Sequence, residues 1–421
     1  MRIHVVMIPG FGGFDALGDL HYYAGLTPIF KNVVTKQGGD LVIHYFDNLP
    51  TAAVKTRARK LRLWLSKLVT REEIKSKDKI VLVGHSTGGL DIRHLLLDLQ
   101  ATGKIRDEEG TTGSEILERI RRVVFLSVPH RGSNLADWAQ SMPWIELVKR
   151  LVRRVVQLDV EPSLVLEPLL EIFRSFGEPI PDLLLAARDV ERDIGRRFSD
   201  DPWIAAQGRQ NYADLNVWLE NIDKDFMAAQ DLRAGCAGEQ VMLDNAIKLM
   251  KDAGIVTRSF ATLGRCPFSP KDLDEWMKGD SRSVPRMLRW GARRVDGTDE
   301  PYAYAYCTCT NGPFTTAGKA VPWLGGRRPP ESDELYSPKL HENDGIVNTA
   351  SMLAANFPGD EPTLVHADHG DVIGHFELAA EVRPNLMRTR YDLLRSGSGF
   401  GQEQFEQLWR MIFEFASQAG Q

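Results

Sequence analysis

The sequence has few cysteines, no strong excess of charge of one sign and no long apolar run. Its 421 residues include four cysteines, and 52 Lys and Arg residues against 57 Asp and Glu residues leave a formal net charge of −5. This balance gives no whole-chain attraction to nucleic acid or to anionic lipid. Because no stretch of about 18 consecutive apolar residues occurs, a transmembrane helix is not expected either.

The cysteines and the start of the chain bear on the compartment. The cysteines follow no familiar metal-ligand spacing; they are Cys236, Cys266, Cys307 and Cys309. The first ten residues, MRIHVVMIPG, lack the apolar run and the small-residue cleavage site of a secretory signal. We therefore expect reduced thiols in a cytoplasmic protein, with export without a leader as the alternative.

Short apolar runs alternate with helical patterns in the first third of the chain. The predicted strands there are Ile3–Ile8, Leu41–Phe46, Ile80–Val83 and Val123–Val128, and the predicted helices are Ala52–Leu68 and Leu90–Leu99. This order predicts an α/β fold, with a mostly parallel sheet flanked by helices. Further strands are predicted at Ile255–Leu263, Tyr302–Thr308 and Thr363–His366, a loop at Gly312–Lys339 and a last helix at Glu403–Ala416.

The middle of the chain has a different pattern, which is largely helical from about Met142 to Leu249. We predict a core of residues 1–141 and 255–421, interrupted by a helical cap or lid insertion at 142–254. The apolar residues expected to line this insertion are Trp138, Met142, Trp144, Ile145 and Leu147. A mobile lid and a rigid structural cap are both compatible with this pattern.

The segment IVLVGHSTGGL at 80–90 contains the motif G-x-S-x-G between a predicted strand and a predicted helix. In that setting the motif predicts a sharp turn that raises the serine hydroxyl above the edge of the sheet. Gly84 and Gly88 leave room for the crowded turn, since side chains there would collide. Ser86 is therefore the predicted nucleophile, and an ordinary glycine-rich turn is the alternative.

A serine nucleophile that attacks a carbonyl group needs two backbone N–H donors for the negative oxygen that develops. The residue after the nucleophile, Thr87, provides one of them in this type of turn. The other is expected from the loop after the first strand, IPGFGG, with the N–H of Phe11 as the predicted donor.

A catalytic acid and a histidine should follow the serine in the chain. Of the late histidines, His366 ends an apolar run and is interpreted as a strand residue. His369, just beyond that strand, is the preferred base, and His375, expected on a following helix, is the alternative. Asp344 lies in the predicted turn ENDGIV at 342–347 and is the predicted acid that orients the imidazole.

At these residues the chain resembles the bacterial true lipases, namely the Pseudomonas/Burkholderia and Geobacillus-type triacylglycerol lipases. The similar pieces occur in order along the core: PGFGGFDALG with HYYAG at 21–25, GHSTGG, VPHRGS, ENDGIVNTASM and DHGDVIG. The resemblance implies the α/β-hydrolase fold, the triad Ser86, Asp344 and His369, and oxyanion donors Phe11 and Thr87. It also implies a structural Ca²⁺ at the acidic residue two positions after the histidine, which is Asp371, for which a plain surface aspartate is the alternative. Pro9 replaces the His-Gly that is usual in these lipases, and the zinc-binding set of the Geobacillus type has no counterpart.

Together these features predict a serine hydrolase that acts on ester or lipid substrates through an acyl-enzyme and requires no cofactor for its chemistry. A second hypothesis is that the protein is an acyltransferase or a thioesterase with the same triad. A binding module without activity and a lipase effector exported without a leader are further ones.

Overall fold

The computed structural model describes the main part of the chain. The described residues are 1–11, 13, 16–17, 20–37, 40–49, 51–136, 199–202, 205–206, 231, 237–269, 272, 298, 300–310, 321–324, 335–339, 341–376, 392 and 394–420.

The described strands form one eight-stranded sheet and a small hairpin. In chain order they are β1 Ile3–Ile8, β2 Ala16–Leu17, β3 Leu20–His21, β4 Leu41–Tyr45, β5 Lys79–His85, β6 Ile120–Leu126, β7 Val256–Leu263, β8 Val321–Leu324, β9 Leu335–Tyr336 and β10 Thr363–His366. The main sheet has the order β4-β1-β5-β6-β7-β10-β8-β9. Its neighbours pair in parallel except β8 and β9, which are antiparallel, as are β2 and β3 in the hairpin.

Helices cover both faces of this sheet. They are α1 Leu26–Gln37, α2 Val54–Thr70, α3 Thr87–Ala101, α4 Gly113–Leu117, α5 Ala237–Asp252, α6 Glu300–Thr310, α7 Thr349–Met352 and α8 Gln402–Ser417. Val5 and Met7 of β1 pack with α1 and α8 on one face, whereas Val6 and Ile8 pack with α2 and α3 on the other. Strands that are buried on both faces need apolar residues at every position, which explains the unbroken apolar runs of the sequence. The predicted α/β-hydrolase fold is confirmed.

Two predicted elements of secondary structure were wrong. Tyr302–Thr308 lies in helix α6 and forms no strand, because Tyr302 and Tyr306, four residues apart, pack on one face with ring centroids 5.9 Å apart. The alternation of Tyr and Ala imitates a strand, yet a four-residue spacing also fits a helix. Within the predicted loop at 312–339, strand β8 forms because its apolar ends are buried beside β10.

The predicted insertion at 142–254 lies mostly outside the described residues, and so do the apolar residues expected to line it. Its last part, helix α5, is described, and Leu243, Ala246 and Met250 pack into the same apolar cluster as α3. Among the described residues, no helix is long and apolar enough to cross a bilayer.

Candidate active site

Ser86 occupies the turn between β5 and α3. Its backbone has φ 54° and ψ −130°, a combination that L residues rarely adopt and that persists where the surrounding structure enforces it. A Cβ atom at Gly84 would lie 2.7 Å from the Gly89 nitrogen, and one at Gly88 would lie 2.4 Å from the Ile8 oxygen. Both glycines of the motif are therefore required by close backbone packing, as the sequence predicted.

Asp344 and His369 are joined by a direct hydrogen bond. The distance from His369 Nδ1 to Asp344 Oδ2 is 2.7 Å, and the Asp344 side chain is fully buried. Asp344 Oδ1 accepts from the backbone N–H groups of Ile346 and Val347, and the Thr262 hydroxyl donates to Oδ2 at 2.6 Å. These four donors satisfy both oxygens of the buried carboxylate and hold it in one orientation.

The turn that carries Asp344 depends on the glycine that follows it. Gly345 has φ +93°, and a Cβ there would lie 2.8 Å from the Tyr302 ring. An antiparallel bridge between Asn343 and Asn348 closes the turn. Asp344 therefore projects toward the end of β10, where the backbone N–H of His369 donates to the Asp344 carbonyl oxygen at 3.2 Å.

His369 also lies against the residue that precedes Ser86. The His85 and His369 rings have centroids 4.6 Å apart, and His85 Nε2 lies 3.1 Å from the His369 carbonyl oxygen. The imidazole of His369 keeps 12% of its surface exposed. The structure thus brings Asp344 and His369 into contact and places His369 beside the Ser86 turn.

The two other late histidines have different surroundings. His375 is buried and its Nε2 donates to the His21 carbonyl oxygen at 3.0 Å. It follows the short 3₁₀ turn Asp371–Ile373 and Gly374, so the expectation that it lies on a helix was wrong. The positive φ of Gly374, +102°, ends the turn before it. His366 ends β10, as predicted, and lies against Trp323.

The loop expected to supply an oxyanion donor lies beside Ser86. A Cβ at Gly10 would be 2.6 Å from Ser86 Cβ, so Phe11 directly follows a residue that packs against the serine. The loop is a turn in which Gly13 N donates to the Gly10 oxygen at 3.0 Å. Thr87 is the first residue of α3, where backbone N–H groups have no partner within the helix.

A buried ion pair between Arg57 and Asp91 contacts the backbone of this loop at Pro9. Arg57 Nη2 donates to the Pro9 carbonyl oxygen at 2.9 Å and to Asp91 Oδ2 at 2.8 Å. Both side chains are fully buried. Desolvation raises the pKa of Asp91 to about 6, although Arg57 opposes the shift. The Pro9 carbonyl oxygen is thereby fixed next to Gly10.

Asp371 belongs to a cluster with Asp368 and Asp392, whose ligand oxygens all lie within 4.8 Å of one another. Desolvation, followed by the charges of Asp368 and Asp392, raises the pKa of Asp371 well above its usual range. Three carboxylates in this arrangement provide the hard oxygen donors that Ca²⁺ prefers. The donor set therefore fits the cation implied by the resemblance. Asp368 was missed in the sequence, although it directly precedes His369.

Other residues of the site also escaped sequence reasoning. Thr262 was hidden in an apolar strand, where a buried hydroxyl near the strand end is the only signal. Tyr22 and His85 occur in the HYYAG and GHSTGG segments, but the sequence predicted no role for either residue.

Comparisons with known proteins give structural neighbours alone. No family model matches the chain, and no curated protein sequence does. The lipase of Staphylococcus hyicus has a TM-score of 0.46 at 14% identity, covering 99% of this chain and 95% of that one. Lipase 1 of Pelosinus fermentans has the same score and identity, with 98% of each chain covered. The mature lipase BlEst2 of Bacillus licheniformis has a TM-score of 0.39 at 13% identity, covering 88% of this chain and 85% of that one. Likeness at this level does not by itself assign an activity.

Proposed function

We propose that this protein is a serine hydrolase of carboxylic esters, of the lipase and esterase kind, with Ser86 as nucleophile, His369 as base and Asp344 as the acid that orients it. The observation that carries the proposal is the hydrogen bond between Asp344 and His369 beside a serine whose backbone is held in a strained turn. Perturbed backbone geometry of this kind is concentrated at catalytic positions. The lipases among the structural neighbours are consistent with the proposal and add no residue to it.

The reaction takes place in two acyl transfers. His369 Nε2 accepts the proton of Ser86 Oγ as Oγ forms a bond to the ester carbonyl carbon, and the carbonyl electron pair moves to the oxygen. The N–H groups of Phe11 and Thr87 stabilise that oxyanion. When it collapses, the bond to the leaving alkoxide breaks and His369 returns its proton to the alcohol. Water then repeats the sequence on the acyl-Ser86, releasing the acid and restoring the serine.

Asp344 keeps the correct nitrogen available for this chemistry. Its carboxylate accepts a hydrogen bond from His369 Nδ1–H, which keeps the proton on Nδ1 and leaves Nε2 unprotonated and able to act as base. The negative charge then stabilises the imidazolium that forms, and the buried N–H donors to Asp344 keep the carboxylate in place.

A series of p-nitrophenyl esters from acetate to palmitate tests the proposal and locates the substrate class. We expect turnover of at least the short esters, and labelling of Ser86 by a fluorophosphonate. A maximum at long chains would indicate a lipase, and one at short chains an esterase. Addition of a second alcohol distinguishes transfer to that acceptor from hydrolysis. A protein that neither turns over any ester nor reacts with the fluorophosphonate would refute the proposed function.

We further propose that Asp371, with Asp368 and Asp392, can hold a structural Ca²⁺. The cation would neutralise buried carboxylates and fix the segment that contains His369. The segment also has supports of its own, since Asp368 Oδ2 accepts from Ser396 and Asp371 Oδ2 accepts from Ser398. The role is therefore one of stability and of loop position.

Calcium should raise the thermal stability of the wild-type protein. Because a ligand that binds only the folded state stabilises it by mass action, Tm measured in millimolar CaCl₂ should exceed Tm measured in EDTA. Asp371→Asn should abolish the difference. Asp360→Asn is the matched control, because Asp360 is a carboxylate bonded to Ser259 elsewhere in the fold. If Tm of the wild-type protein does not respond to calcium, Asp371 has no metal role.

A further inference from the structure

We propose that Tyr22 and His85 are positioning residues that connect the oxyanion loop to the catalytic base through one directed chain of hydrogen bonds. The chain runs from the Gly10 N–H through the Tyr22 hydroxyl and the His85 ring to the His369 carbonyl oxygen. Its three distances are 2.7, 2.7 and 3.1 Å. The inference rests on the proposed function, because that function makes Phe11 an oxyanion donor and His369 the base.

The chemistry of the end groups fixes the direction of every bond. A carbonyl oxygen can only accept, so His85 Nε2 must carry the proton that is donated to His369. Nδ1 of the neutral ring is then an acceptor, and the Tyr22 hydroxyl donates its proton to it. The hydroxyl oxygen in turn accepts from the Gly10 N–H. No member of the chain can be reversed without the loss of a bond.

The surroundings of His85 and Tyr22 keep this hydrogen-bond chain in a single protonation state. Burial lowers the pKa of His85 well below its usual range, first through desolvation, with a smaller contribution from His369. Desolvation likewise raises the pKa of Tyr22. A neutral imidazole and a neutral phenol are the forms that the direction of the bonds requires. The polar chain is fully paired in a setting where an unpaired group would be costly.

The hydrogen-bond chain connects two parts of the site that are far apart in the sequence. Gly10 immediately precedes Phe11, the expected oxyanion donor, and His369 is the expected base. Ser86 directly follows His85 in the sequence, and a Cβ at Gly10 would lie 2.6 Å from Ser86 Cβ. Because a displacement of about 1 Å between reacting groups can cost on the order of 100-fold in rate, this relative placement has a direct effect on kcat.

Tyr22→Phe removes the hydroxyl and leaves the ring. We expect kcat for p-nitrophenyl butyrate to fall by about 10- to 100-fold, with KM within about twofold of the wild-type value. The rate of Ser86 labelling by a fluorophosphonate should fall in parallel, because that reaction needs the same base and the same oxyanion donors.

Tyr23→Phe is the matched control. Tyr23 is the adjacent residue, is buried, and its hydroxyl donates to the Ile8 carbonyl oxygen at 2.7 Å. Tyr23→Phe therefore also removes one buried phenolic hydroxyl, as Tyr22→Phe does, but this hydroxyl lies outside the hydrogen-bond chain. Similar changes in Tm with a fall of kcat in Tyr22→Phe alone are expected. Equal effects on kcat in both variants would mean that Tyr22 has only a structural role and would overturn the inference.

Substitutions of His85 test the second member. Glutamine carries an acceptor and a donor on one planar group, so His85→Gln should retain more of the wild-type kcat than His85→Leu does. Leucine can neither accept from Tyr22 nor donate to His369. Equal kcat values in the two His85 variants would contradict a role for the polarity of this side chain.

The tautomer can be measured without turnover, so the inference can fail or succeed apart from the proposed function. In protein labelled with ¹⁵N-histidine, the His85 signal, assigned by its loss in His85→Gln, should have the proton on Nε2 and no proton on Nδ1. A proton on Nδ1 would exclude the chain even in a fully active enzyme. The expected tautomer in a protein inert to every ester would support the chain and refute only the function.

Discussion

Ser86→Ala should lower ester turnover by about four to six orders of magnitude and leave the fold unchanged. Removal of the nucleophile leaves only the contributions of substrate binding and of the oxyanion donors, which together supply a small residual rate. Alanine keeps the Cβ atom, so the crowding around φ 54° at this position stays the same. The measurement is kcat/KM for p-nitrophenyl butyrate, with circular dichroism and Tm to confirm that the protein is folded.

Ser66→Ala provides the comparison. Ser66 is also buried but lies on α2, where its hydroxyl donates to Asp107. This variant should retain the wild-type kcat/KM and react with a fluorophosphonate at the wild-type rate. If Ser86→Ala retained a tenth of the wild-type activity, or if another serine were labelled, the nucleophile would have to be sought elsewhere.

His369→Ala should be as damaging as Ser86→Ala, since the two residues act as one unit and their effects are not additive. Without the imidazole, Ser86 Oγ has no group to accept its proton, and Asp344 is left as a buried carboxylate with one donor fewer. The double variant should therefore lose little beyond either single one. kcat/KM of the two single variants and of the double variant measures this directly.

His375→Ala tests whether His369, and not His375, is the base. Its Nε2 is engaged by the His21 carbonyl oxygen, so its loss should lower stability more than turnover. Loss of activity in His375→Ala together with near-normal activity in His369→Ala would refute the assignment of His369 as the base and favour His375.

The sequence was informative where chemistry and local backbone constraints coincide. G-x-S-x-G identified the turn because its glycines are fixed by contacts to backbone atoms that lie close in the chain or in the adjacent strand. The Asp-Gly turn at Asp344 was visible for a similar reason, because Gly345 must adopt a positive φ. His369 could be preferred to His375 from its distance to the last predicted strand, whereas its contact with Asp344 could be seen only in the structure.

The residues that sequence reasoning missed depend on pairing across the fold. Thr262 reaches Asp344 from a neighbouring strand end, and neither position gives a sign of the other in the sequence. Asp392 lies close to Asp371, and Ser396 and Ser398, which follow it, donate to Asp368 and Asp371. Helix α6 was misread because alternating aromatic residues satisfy two periodicities, and tertiary packing decides between them.

The bond between His85 and His369 joins residues that are 284 positions apart in the chain. Contacts of such long range form late in folding, since the entropy of a large loop must be lost before they can contribute. β5 and its turn can form while β10, which inserts between β7 and β8, has yet to dock. Under the proposed function, recovery of ester-hydrolysing activity during refolding should therefore lag behind the return of helical circular dichroism, since that activity requires the completed contact.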